Sequence, residues 1–215
     1  MRPLLCLALA ALPVCGGQHQ ATLAPIALYT QFERNPPAAV VDSLQLELQS
    51  IMAPMGLNFQ WRNLATGSRQ PSVELAVIHF KGRCDVAGLI PHDANPGPLG
   101  WTHVSRGAIL PFADVDCSAV RSFVQKELLS ICPNDREPVF GRALGRVLAH
   151  ELYHIFADTK RHGADGVARE CYSVQDLLTA DFHFQPSESQ ALIRSKAHAA
   201  LSNAGGDGPD LAHRL

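Results

Sequence analysis

The stretch VFGRALGRVLAHELYHIF, Val139 to Phe156, decides how this sequence is read. Val139, Phe140, Ala143, Leu144, Val147, Leu148, Leu152 and Phe156 recur at the three-to-four-residue spacing of one buried helical face. Asn134 and Asp135 offer caps ahead of it, and Pro138 suits a first turn. Positions i and i+4 of a helix share a face, so His150 and His154 stand one turn apart, where two imidazoles can share a metal ion. Glu151 projects beside them and can act on a water without being a ligand. Composition alone predicts roughly 0.02 chance occurrences of His-Glu-x-x-His in this chain. Gly141 and Gly145 each cost such a helix about 1 kcal/mol relative to alanine, and close packing against a sheet is the expected compensation.

Upstream, Ala24–Phe32 reads as a strand. Pro36-Pro37 opens a helix with Val40, Val41, Leu44, Leu48 and Ile51 on one face, which Pro54 and Gly56 end. Leu57–Arg62 and Val73–Phe80 follow as strands, the second more continuously apolar, with His79 expected as a satisfied core residue. A loop rich in glycine and proline, Lys81–Gly100, leads to short strands at Trp101–Val104 and Ala108–Phe112 and a helix at Cys117–Ile131. After the long helix come shorter ones at Val174–Ala180 and Ser187–Leu201. The expectation is an α+β fold: a small mixed sheet, a backing helix, a long helix bearing the motif and a short helical C-terminal part.

The start of the chain bears on its compartment. Arg2, an apolar run from Pro3 to Val14 and the small exit Cys15-Gly16-Gly17 have the form of a secretory signal peptide, 1–17. The run is too short to span a bilayer. Acylation at Cys15 is the less favoured variant, since Val14 stands where such signals carry a small residue. Residues 18–202 then form one domain and 203–215 a flexible tail. A secreted or periplasmic chain with Cys84, Cys117, Cys132 and Cys171 is expected to hold two disulfides, Cys84–Cys117 and Cys132–Cys171, by neighbourhood in the chain. The 215 residues carry a formal charge of −2, which gives nucleic acid no basic face to bind; a monomer acting on a peptide or protein is expected.

A catalytic zinc takes three protein ligands and leaves one position for water. His162 is the preferred third, because Gly163 and Gly166 can turn the chain back beneath the helix; Glu170 and Asp165 compete, and Asp158 less so. Tyr172 is the candidate second stabiliser of a developing oxyanion, ahead of Tyr153, and Asp176 and Asp181 are candidates to orient the histidines. Trouble for this reading would come from a non-catalytic zinc-binding or interaction domain, whose mark would be loss of the general base; Glu151 is present.

These residues resemble the zincin superfamily of metallopeptidases, from Ala24 to Tyr172, with only His150–His154 specific. The resemblance implies one catalytic Zn²⁺ on His150, His154 and His162, with Glu151 as general base for peptide hydrolysis. It implies an edge strand near Gly100–Val104 beside the cleft, flanked by Trp101, Thr102 and His103. The metzincin branch is similar in its third histidine, but there that residue falls six positions after the second and follows a glycine turn. Lys160 occupies that position here, Ala157 replaces the glycine and His162 comes two residues later. No methionine turn follows; Gly166-Val167-Ala168 stands in its place. The chain also resembles short, uncharacterised exported zincin-like proteins of bacteria.

Overall fold

The computed structural model describes residues 23–67, 71–90 and 97–206. The expected signal peptide, Cys15, and the end of the expected tail lie outside these residues.

Strand β1 (Ile26–Phe32) leads to helix α1 (Ala38–Met52), whose Val40, Leu44, Leu48, Ile51 and Met52 are buried. A 3₁₀ turn, Ala53–Met55, closes at Gly56, whose φ of 77° lets the chain reverse into β2 (Phe59–Asn63). β3 (Leu75–Lys81), β4 (Gly100–Ser105) and β5 (Ala108–Asp116) complete a five-stranded sheet in the order β2-β1-β3-β5-β4. All neighbours run parallel except β4, which pairs antiparallel with β5 at the sheet's edge. Helix α2 (Cys117–Ser130) starts directly from β5, its first turn capped by the Asp116 side chain, which accepts from the Ala119 N–H at 2.9 Å. The long helix α3 (Arg136–Phe156) follows, then α4 (Val174–Leu178), α5 (Pro186–Ile193) and α6 (Lys196–Gly206). The mixed sheet, backing helix and long helix are those the pattern predicts.

Helices α1 and α3 pack on each other and on one face of the sheet, and Leu44, Leu48, Ile78, Phe80, Phe140, Leu144 and Leu148 form the sealed core. The two glycines of α3 are explained here, against a different partner from the one expected. A Cβ on Gly141 would sit 2.3 Å from Val40 O, and one on Gly145 would sit 2.8 Å from Leu44 O. Their lost side chains let α3 press onto the backbone of α1, not onto the sheet.

Three further expectations are corrected. His79 lies on the open face of the sheet, its side chain 47% exposed and 3.7 Å from Asp114, because only alternate residues of β3 (Ala76, Ile78, Phe80) face the helices. The helix expected over Ser187–Leu201 is two: it breaks at Ser195, whose Oγ accepts from the His198 N–H at 3.1 Å and restarts the chain as α6. Cys84 and Cys117 form the expected disulfide, but Cys132 and Cys171 are exposed free thiols. The cause is α3 itself. Cys132 precedes its start and Cys171 adjoins Tyr172, which packs on His150, so about 21 Å of helical rise separates the two, where a disulfide needs roughly 7 Å or less between Cα atoms.

Candidate metal centre

His150 and His154 are buried near the C-terminal end of α3, and their rings meet edge to face with centroids 4.7 Å apart. The orientation of each ring is set from behind by a backbone carbonyl. His150 Nδ1 lies 2.8 Å from Val167 O and His154 Nδ1 lies 2.7 Å from Thr159 O. A carbonyl only accepts, so both Nδ1 atoms carry the proton and both Nε2 atoms present lone pairs. Those two Nε2 atoms stand 3.0 Å apart. Two lone pairs facing at that distance repel unless a proton or a metal ion lies between them, and burial, which lowers both pKa values, disfavours the proton. Tetrahedral zinc with N–Zn bonds of about 2.0–2.1 Å would separate its ligand nitrogens by roughly 3.3 Å, close to what the chain already holds.

The third histidine comes from the turn that leaves the helix. Asp158, at φ 48°, takes the left-handed position that reverses the chain after the last helical turn. The segment then closes on itself, with the Gly163 N–H donating to Ala168 O at 2.7 Å and a bridge between Gly163 and Arg169. Gly166, at φ 69°, makes the tight corner, and the Val167 N–H donates to His183 O at 3.2 Å. A Cβ at Gly163 would lie 2.0 Å from Glu188 Oε1, so any larger residue beside His162 has to displace the carboxylate that caps α5. This places the exposed His162 ring stacked on His150 at 5.2 Å and edge to face with His154 at 4.8 Å. One ligand atom from each of the three lies within 4.8 Å of the others, the sole such group of three among the described residues. Glu170 lines the same cleft without joining the group, and Asp165 lines a neighbouring pocket beyond His162.

Glu151 turns its carboxylate toward β4, where Thr102 Oγ1 donates to Oε2 at 2.7 Å. Burial pushes the Glu151 carboxyl up to about 7, partly offset by that bond. Burial likewise pushes His150 down to about 4, and it lowers His154. Tyr172 reaches the site from an unexpected side. Its hydroxyl donates to Val167 O and lies 3.1 Å from His150 Nδ1, on the ring edge opposite Nε2. Burial, and after it the charge of Glu151, hold its phenol well above the ordinary value, so it stays a donor. Asp176 is engaged elsewhere, capping α4 through Ser173 and pairing with Arg169 at 3.0 Å. The carbonyls of Val167 and Thr159 take the orienting role expected of Asp176 and Asp181. No side-chain pattern marks such atoms.

In the metal-free protein His150 and Glu151 oppose each other as pH changes. Between about pH 4 and 6.5 the unfolded chain carries a proton on His150 that the folded chain lacks, so stability rises with pH. Between 4.5 and about 7 the folded protein keeps a proton on Glu151 that the unfolded chain has released, so stability falls as pH rises. Glu151→Gln removes the second effect. In urea melts the metal-free variant therefore gains about 2 kcal/mol more than metal-free wild type between about pH 5 and 7. Parallel profiles would contradict the buried, uncharged Glu151.

The three rings and Glu151 open onto a cleft of about 580 Å³ whose lining includes the apolar Leu99, Trp101, Phe123 and Val147 and the charged Lys160 and Glu170. No protein-family model and no curated protein sequence matches the chain. Among solved structures the fold is similar to archaemetzincin from Methanopyrus kandleri, at 14% identity and a TM-score of 0.45, over 81% of this chain and 96% of that one. That likeness is too slight to establish a family.

Proposed function

We propose that this chain is an exported zinc-dependent peptidase of zincin type, with His150, His154 and His162 as ligands and Glu151 as general base. The observation that carries this reading is the pair of Nε2 lone pairs held 3.0 Å apart, with a third imidazole against both. Three imidazoles with one open side are the donor set of a catalytic zinc site. Bound there, zinc would bring the pKa of water toward about 7 and polarise a carbonyl. Glu151, raised to about 7 by burial, is suited to take a proton from the attacking water and return it to the leaving amine. Tyr172 acts in this scheme as a positioning residue, fixing Val167 O behind His150, in place of the oxyanion role that its sequence position first suggests. The open cleft suits an extended peptide, and the Cys84–Cys117 disulfide suits an oxidising compartment. Among the described residues no helix is long and apolar enough to cross a membrane.

The test is metal removal. A chelator abolishes cleavage of unfolded protein substrates by the purified chain, and zinc restores it. Cleavage that continues undiminished without metal would sink the proposal.

A further inference from the structure

Strand β4 does more than border the cleft. Gly100 and Thr102, two residues apart and so on one face of the strand, both meet Glu151. Thr102 Oγ1 lies 2.7 Å from Glu151 Oε2 and 3.1 Å from the backbone oxygen of the same residue. A Cβ on Gly100 would stand 3.0 Å from Glu151 Oε1, 3.0 Å from Val147 Cγ1 and 3.1 Å from Asp114 O. One carboxylate oxygen is thus held, and the other faces a position where the chain carries no side chain. The strand's pairing with β5 shifts register directly after Thr102, between Thr102 and Val104, so the ladder is interrupted just past the residue that grips the helix and resumes at Val104.

We propose that Thr102 is the positioning residue of Glu151: it anchors Oε2, leaves Oε1 as the oxygen that handles the proton, and is able to do so because Gly100 lets the strand approach. For its kinetic consequence the inference rests on the peptidase reading; the contact itself does not. A carboxylate 5% exposed with one side-chain donor loses its fixed orientation when that donor goes. Valine at 102 keeps the shape of threonine and removes the hydroxyl. Serine keeps the hydroxyl and removes a methyl.

The test uses the full chain, with Thr102→Val, Thr102→Ser and Glu151→Ala, read in two ways. In zinc-loaded protein, Thr102→Val lowers kcat on a peptide by about tenfold or more at unchanged KM and zinc content, and Thr102→Ser recovers most of it. In zinc-free protein, Thr102→Val lowers Tm by about 3 °C in the wild-type background and by clearly less where Glu151 is already alanine, because only the 3.1 Å contact with the backbone oxygen of residue 151 then remains to be lost. A Thr102→Val kcat equal to wild type, or equal melting shifts in the two backgrounds, would overturn the proposal. If the wild type turns over no peptide, the peptidase reading fails and the melting cycle alone decides the contact.

Discussion

Glu151→Gln abolishes peptide hydrolysis, by about a thousandfold, while the protein keeps its zinc and its fold. Glutamine has nearly the shape of glutamate, and its amide oxygen still accepts from Thr102 Oγ1, which lies 2.7 Å from Oε2 in the native chain. The three histidines are untouched, because Glu151 is no member of the group whose ligand atoms converge. What the amide cannot do is accept a proton from water. Loss of activity with retained metal therefore isolates the base from the ligands. The measurement is kcat/KM on a peptide alongside zinc content by elemental analysis. Zinc retained together with full activity would sink the mechanism. Zinc retained with no activity in either protein would favour a metal-binding domain without catalysis.

The second large effect lies one turn before the motif. Arg146 is 1% exposed, and its guanidinium is fully engaged: Nε with Glu47 at 2.6 Å, Nη1 with Asp176 O at 2.8 Å and Nη2 with Thr179 O at 2.7 Å. It also lies 4.6 Å over the ring of Phe182, which packs against Tyr172. One buried cation thus ties α1, α3 and the segment behind His150 together. Removing it leaves a half-buried carboxylate and two carbonyls without their donor, so Arg146→Ala costs about 3–5 kcal/mol. For a chain of this size that lowers Tm by roughly 10 °C. Arg146→Met combined with Glu47→Leu recovers part of the loss, since deleting both charges strands neither while the carbonyls of Asp176 and Thr179 still lack their donor. A Tm within about 2 °C of wild type for Arg146→Ala would show that the network holds nothing.

The sequence made some of this legible and hid the rest for physical reasons. His150, Glu151 and His154 were readable because their geometry is local: helical periodicity alone puts two rings on one face. His162 followed from glycines that only a tight turn requires, and the structure places that turn where its ring meets the other two. The carbonyls of Val167 and Thr159 were unreadable, because every residue has a carbonyl and only the folded turn selects two of them. Gly141 and Gly145 announced a close approach without naming the partner, which proved to be α1. The Cys132–Cys171 pairing failed because nearness in sequence ignores a rigid 21-residue helix lying between the two cysteines. The edge position of β4 was expected from resemblance alone, and its grip on Glu151 through Thr102 was not.

Three imidazoles sharing one metal ion would make up the proposed site, and the exposed His162 is the least protected of them. Elemental analysis of purified protein, wild type beside His162→Ala, tests it most directly. The expected result is about one zinc per chain in the wild type and most of it lost from the variant, with the fold intact by circular dichroism. A wild type that takes up no zinc even when it is offered, or a variant that keeps its full complement, would contradict it.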